Sequence, residues 1–432
     1  MTKAIQTALV CALIAAPAWG AEITKITSSF EPDDPFGMRI DLGFERTQHR
    51  GKITREWYQE NDMQDVSELR FTSYDTRMNI DVRVGLWQDV EFHFGLPFVF
   101  QRDSYWGFAG QTDASNTTIY RNCQGANGAL LSPSTGCTTP GAGTGRLFTV
   151  DDTSRSFRGG LGDLTFGIAY APFNQKKDDT KPTWVIGMDY AAPTAARLEP
   201  ALPTSEADRG NIGDRIHRYK FYTSISKRIG PVDPYFSLHY TLPYRGPGWY
   251  SNCEQTETGT LGAPENCGLD AWPKSTTGII PPHVGGVIFG SEFVPFEVPS
   301  NHQKFALDIR AMATYFSEGR YHNEMSDLLH KLLYTSDYLQ LGGQIGFNAQ
   351  AAEFISLNVS AAWSYNTEHF LTNEQVGRDL NGNGVVDPKP NEFGFRPELN
   401  PNFDWRVDRV GRRFRISETS IFTLRATASF NF

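Results

Sequence analysis

The stretch 416–432 ends in TLRATASFNF. Counting back from Phe432, the residues Phe430, Ala428, Ala426, Leu424 and Phe422 are apolar or small, and Asn431, Ser429, Thr427, Arg425 and Thr423 separate them. A period of two is the signature of a strand with one apolar face. Here it runs unbroken to the final aromatic residue, where a soluble domain usually frays into solvent. Two kinds of fold accommodate such a strand: an exported soluble β-protein, or a barrel whose wall crosses a membrane.

The start of the chain points to export. Lys3 precedes a mostly apolar run over 4–16, and Ala18-Trp19-Gly20 fits a small-x-small cleavage site, so residues 1–20 read as a secretory signal peptide. That run is too short for a spanning helix, and no later stretch approaches the ~18 uninterrupted apolar residues a helix would need. Residues 21–35 read as a periplasmic N-terminal segment and 36–432 as one β-barrel. The net charge of −9 and the lack of a basic cluster with interleaved aromatics argue against a nucleic-acid partner. Cys11 leaves with the signal peptide. Cys123, Cys137, Cys253 and Cys267 remain, as two Tyr-x-Asn-Cys pairs in Gly/Ser/Thr/Pro-rich sequence. Local pairing of 123 with 137 and of 253 with 267 is the economical connectivity of the three allowed, and an oxidising compartment permits it. Neither pair has the CxxC spacing or nearby His of a zinc site.

Between these ends the alternation recurs, predicting strands over 36–46, a second ending at Trp87, then 92–100, 162–171, 184–192, 217–229, 235–244, 283–296, 304–316, 338–351, 354–365 and the closing strand. The eighth, 283–296, is apolar and Gly-rich on both faces, so its register is not readable. A polar loop is expected after 46, containing His49-Arg50-Gly51 and Asn61-Asp62, and another over 102–157. One helical pattern is expected within 319–337, with Asn323 as cap and Met325, Leu328, Leu329 and Leu332 at helical spacing. Twelve strands result, and their connections alternate long and short throughout. That is the asymmetry of a transmembrane barrel with short periplasmic turns and long outer loops, in the outer membrane of a Gram-negative bacterium. Both cysteine pairs fall in long loops.

Lipid offers no hydrogen-bond partners, so the strands must close into a ring. Faces rich in Phe, Leu, Ile, Trp and Tyr suit lipid. The opposite faces carry Arg39, Asp41, Asp81, Arg83, Glu91, His93, Arg218, Lys220, Asp308, Arg310, Gln340, Gln344 and Arg425, which are expected to line a lumen. A twelve-strand ring lies between barrels filled by side chains and wide porins, so a narrow, loop-restricted pore follows. The lining mixes both signs of charge and gives no ion preference by count.

The closing strand resembles the C-terminal signature of bacterial outer-membrane barrels, which implies that Phe430 and Phe432 serve as an assembly signal for the barrel assembly machinery. Over roughly 80–245 the chain is similar to the outer-membrane transporter family associated with meta-pathway phenol degradation. Gly85-Leu86-Trp87-Gln88-Asp89 matches that family's turn with one extra residue, and Leu96-Pro97 and Gly160-Leu161-Gly162-Asp163 match its following motifs. The resemblance implies a barrel that passes or binds small molecules, aromatic or hydrophobic compounds among them. Membrane lipids, lipopolysaccharide and a small solute are the partners this implies.

Three further features bear on chemistry. Asp379, Asn381, Asn383, Val385 and Asp387 follow calcium-loop spacing, with Gly384 at the bend. Position 12 is Pro390, leaving Glu392 or Glu398 to substitute. The alternative is an Asn/Gly-rich turn, and any bound calcium would be structural. Arg406, Arg409, Arg412, Arg413 and Arg415 stand before the last strand with Asp404 and Asp408, suited either to anions at the mouth or to local ion pairs. Twelve-stranded outer-membrane hydrolases exist, but His93 and His239 lack a nearby His-x-Ser-Asn-like cluster. They read as wall residues rather than catalysts, and the chain reads as a channel or transporter. A plugged structural or adhesion barrel is the other alternative.

Overall fold

The computed structural model describes residues 21–31, 35–59, 62–121, 146–151, 154–254, 266–268, 271–387 and 397–432. Strands β1 (Met38–Gln59), β2 (Asp62–Trp87), β3 (Val90–Phe108), β4 (Leu164–Phe173), β5 (Thr183–Ala192), β6 (Ile216–Ser226), β7 (Val232–Arg245), β8 (Val284–Val298), β9 (Gln303–Phe316), β10 (Tyr338–Ala352), β11 (Ile355–Asn366) and β12 (Phe414–Asn431) pair in sequence order, all antiparallel. β12 then pairs with β1, from Arg39 opposite Asn431 upward, which closes a twelve-strand ring. The main chain of Phe432 completes the seam, its carbonyl accepting from Met38 N–H at 3.0 Å and its N–H donating to Met38 O at 2.8 Å. Ring closure leaves no edge strand with unpaired amides, the condition for a β-wall in hydrocarbon.

The outward face is an apolar belt. Leu42, Phe44, Phe92, Phe98, Ile168, Ile186, Phe221, Phe289, Ile309, Ile345, Leu357 and Leu424 all stand exposed on it. β4 and β5, at ten residues each, have the length that a tilted strand needs to cross a bilayer, about 9–11 residues. Aromatic residues border the belt at both rims: Trp87, Tyr170 and Phe173 at the short-turn end, Tyr240, Tyr315 and Trp363 at the other. Such girdles place amphipathic rings at the two lipid–water interfaces. No helix among the described residues is long and apolar enough to cross a membrane.

The eighth strand, unreadable in sequence, has an inner face whose glycines serve close packing. A Cβ at Gly286 would overlap the His239 ring, and one at Gly290 the Tyr235 ring. Those two side chains fold across β8, so small residues there admit larger neighbours.

Four expectations need correction. The polar loop expected after residue 46 is strand: β1 and β2 pair from Met38–Val84 to Gln59–Asp62 and project beyond the belt as one long hairpin. Its polar residues occupy a strand with water outside, where the alternation weakens. β3 likewise continues to Phe108 within the expected loop, and a short strand, Arg155–Leu161, pairs back onto it. β6 ends at Ser226, short of residue 229, because Lys227 and Ile229 turn back onto Pro234 and Val232. The helical pattern within 319–337 is a small hairpin, Gly319–Tyr321 with Leu333–Thr335, around one helical turn, Ser326–Leu329. Tertiary contacts override the spacing there. Asn323 donates to Thr335 Oγ1 (2.9 Å) and Leu371 O (2.8 Å) instead of capping a long helix. Arg320 forks onto both oxygens of buried Glu374, at 2.7 and 2.6 Å.

Candidate lumen site

Three layers fill the ring from the short-turn end outward. The first is the segment 21–31, which lies inside the wall. Glu22 N–H donates to Glu292 Oε1 on β8 (2.7 Å), and Thr24 Oγ1 meets Ser226 Oγ on β6 (2.7 Å). Thr27 N–H donates to Glu91 Oε2 on β3 (2.7 Å), and Glu22 pairs with Arg39 on β1 (2.6 Å). Contacts with the inner faces of four strands around the circumference make this segment a floor. Gly37 and Gly85 let it approach, since a Cβ at either would overlap the Ser28 main chain. A cavity of about 100 Å³ remains beside it, lined by Lys25, Arg39, Glu292, Lys304 and Asn348.

The second layer is the charged lining. Strand register places Arg39, Arg83, His93, Asp189 and Lys220 in one row across neighbouring strands, on the face opposite the belt. Asp41 bridges Arg39 (2.7 Å) and Arg83 (3.1 Å). Glu91 receives Arg83 and His93, each at 3.5 Å. Asp189 receives His93 (2.9 Å) and Lys220 (3.7 Å). Asp81 stands opposite Asp41 in register, and Arg218 reaches Asp214 at 3.1 Å and Asp163 at 3.8 Å. A second row joins Arg425 to Glu45 (2.9 Å), Glu45 to Arg77 (3.7 Å), Arg77 to Asp75 (2.9 Å) and Asp75 to Arg102 (2.8 Å). On the far wall Asp308, fully buried, accepts from Arg310 Nε (2.8 Å) and from the Tyr235 hydroxyl. Gln344 stands across from Arg310, and Gln340 donates to Asn366 at 2.9 Å.

Glu45, Asp75, Arg77, Arg102 and Tyr235 belong to this lining although the sequence reading omitted them from it. The signal was available for Glu45, Asp75, Arg77 and Tyr235, which continue the inner parity of their strands. Arg102 comes inward through a register shift between β2 and β3 after Val99, and 75–77 and 102 also lie where a loop was expected. Among the described residues no serine or threonine hydroxyl is hydrogen-bonded to a histidine ring. His93 sits between two carboxylates, Glu91 and Asp189, which orient its ring.

The third layer is a cap built by the outer loops. Above His49 the inner wall turns apolar, with Ile53, Leu69, Phe71, Trp106, Phe414 and Ile416 all buried. They pack on Ile119 and Tyr120 of the β3–β4 connection, Met325, Leu328, Leu329 and Leu333 of the β9–β10 connection, and Leu371 and Val407 before β12. Each such side chain contributes about 1.5–3 kcal/mol when fully buried. Asp327 ties the cap across the ring, receiving His322 (2.8 Å) and the buried Arg158 (2.5 Å). Burial alone would raise the Asp327 carboxyl, but His322 and Arg158 hold it well below the usual carboxylate range. A depressed folded-state pKa contributes stability above the unfolded value, about 4, and loses it as pH falls below that. Protease nicking of the outer loops is therefore expected to accelerate below pH 4 while the barrel stays intact. Arg158→Ala should reproduce that loosening at pH 7. Removing one partner of a buried pair costs on the order of 3–5 kcal/mol; unchanged nicking in the variant would show the tie to be dispensable.

Cys253 and Cys267 are bonded, their Cα atoms 5.4 Å apart, and the neighbouring Asn252 donates to Leu332 O (2.9 Å) and Asn402 Oδ1 (2.8 Å). The bridge thus pins one loop onto the cap. Cys123 and Cys137 lie outside the described residues. In the 379–387 turn, Asp379 accepts from the N–H groups of Gly382 (2.7 Å), Asn383 (3.2 Å) and Gly384 (2.7 Å). Asn381 and Asn383 accept from Asn383 N–H (3.0 Å) and Val385 N–H (2.8 Å). Glu398 clasps both ends of the turn through Leu380 N–H (3.1 Å) and Asp387 N–H (2.6 Å). Pro390 and Glu392 lie outside the described residues. Arg413 forks onto Glu56 at 2.9 Å twice, Arg415 reaches Glu56, Asp65 and Glu368, and Arg406 pairs with Asp404. These three arginines serve local ion pairs.

No protein-family model matches the chain, and no curated protein matches it in sequence. Among solved structures, the COG4313 outer membrane channel from Pseudomonas putida F1 is similar over 94% of this chain and 100% of its own, at 11% identity and a TM-score of 0.42. A Pseudomonas aeruginosa FadL homologue is similar over 91% and 90%, at 8% identity and 0.37. The TodX monoaromatic hydrocarbon channel, as a deltaS2 mutant, is similar over 94% and 92%, at 13% identity and 0.33. At these values the barrel rests on the strand pairing of the chain itself.

Proposed function

We propose that this chain is an outer-membrane channel for the passive passage of small solutes, held narrow by a floor segment and an outer cap. The observation that carries this reading is a closed twelve-strand ring with an apolar outer belt and an inner face of hydrogen-bonded charge. Charged side chains cannot face acyl chains, and a wall lined by them holds water. The sequence resemblance adds aromatic or hydrophobic compounds as the solute class. Liposomes carrying the purified chain should swell in small sugars and slower in larger ones. Swelling equal to that of empty liposomes, for all sizes, would oppose passage.

One observation favours a second reading. Floor and cap both occupy the ring, as in a plugged barrel with a structural role. The two readings part on whether the floor can be displaced.

A further inference from the structure

We propose that the lumen selects small anionic solutes, carboxylates above all; this rests on the channel reading. The lining holds similar numbers of cations and carboxylates, yet they do not stand at the same depth. In the Arg425–Glu45 pair the cation side chain is 50% exposed and the carboxylate 11%. For Lys220 and Asp189 the values are 46% and 26%, and for Arg83 and Asp41, 36% and 6%. The pairs Arg77–Glu45, Arg102–Asp75, Arg218–Asp163 and Arg310–Asp308 are ordered in the same way.

The cause is geometric. Asp and Glu are short and stay at the wall, where Tyr235, main-chain amides and neighbouring guanidinium groups satisfy them, whereas Arg and Lys reach past them toward the axis. Each pair is then a radial dipole with its positive end in the water. A narrow channel with low-dielectric walls focuses such a field, so a solute at the axis meets positive potential although the wall is nearly neutral by count. The order reverses in the Glu22–Arg39 and Glu22–Lys25 contacts at the floor, and in His93–Asp189, where the imidazole is 15% exposed and the carboxylate 26% while Lys220 reaches past that same carboxylate. Tyr222 stands on the inner face beside Lys220, whose Nζ is 5.5 Å from the ring centroid. A flat apolar surface next to an accessible cation suits a ring-bearing carboxylate.

The test is the zero-current potential of the full chain in a planar bilayer under a potassium chloride gradient, repeated with potassium benzoate. The expected sign is that of anion passage in both salts. The variants Arg425→Glu and Lys220→Glu should each move the potential toward the cation side while the channel still conducts. An open wild-type channel whose potential has the cation sign, or variants that leave it unmoved, overturns the anion assignment and leaves the channel reading standing. Absence of conductance, in the full chain and in a chain lacking 22–31, overturns both. The wild-type measurement needs no variant to fold.

Discussion

Deleting residues 22–31 is expected to raise single-channel conductance severalfold, the largest functional effect of any change considered. The segment crosses the ring from Arg39 to Glu292 and is anchored by Glu22, Thr24 and Thr27 to the inner faces of β1, β3, β6 and β8, while Ser29 accepts from Gly37 N–H just before β1. Those contacts are polar and reversible, and the wall does not depend on them, because all ladder hydrogen bonds run between strands. The deletion should therefore leave a barrel that still inserts and resists denaturation by detergent at room temperature. A milder variant, Thr24→Ala with Glu22→Gln, removes the Ser226 bond and the Arg39 ion pair, and should give an intermediate rise with brief openings. A deleted chain with the conductance of the full one would mean that flow is limited at the cap.

Deleting Phe432 is expected to have the largest effect on assembly. It removes two main-chain hydrogen bonds to Met38 at the only non-sequential seam of the ring. At about 1 kcal/mol each, the loss is about 2 kcal/mol, borne where closure must be completed. The Phe432 ring itself is 62% exposed. Outer-membrane yield should fall sharply, by about 30-fold given that about 1.4 kcal/mol is tenfold, while the few inserted molecules keep wild-type conductance. Normal yield with altered conductance would contradict the assembly role that Phe430 and Phe432 are given.

The wall was legible because lipid imposes a strict code. An outward face that meets acyl chains must be apolar at every second position, so Phe92 to Phe98 or Leu424 to Phe430 announce strands, and twelve such runs joined by alternating connections announce a ring. The code fails where lipid ends. Over 47–77 and 102–108 the same strands stand in water, their outer faces are free to be polar, and pairing is set by the neighbouring strand alone. The cap was illegible for a related reason. Met325, Leu328 and Leu329 do occupy helical spacing, but their partners Ile53, Phe71 and Phe414 lie far off in sequence, and that long-range packing selects a hairpin with a single turn. The lining was readable by parity, except at Arg102, which follows a register shift in β3. The depth of its charges was not, since reach toward the axis depends on side-chain length against a wall that only the closed ring defines.

On the channel reading, a water-filled path runs through a ring that is closed as a wall but throttled at both ends. Single-channel recording on the full chain and on the chain lacking 22–31, in the same bilayer and salt, tests it most directly. The expected result is small, stepwise conductance for the full chain and a larger, steadier one without the floor. Silence from both, with insertion verified by heat-modifiable migration, would contradict it.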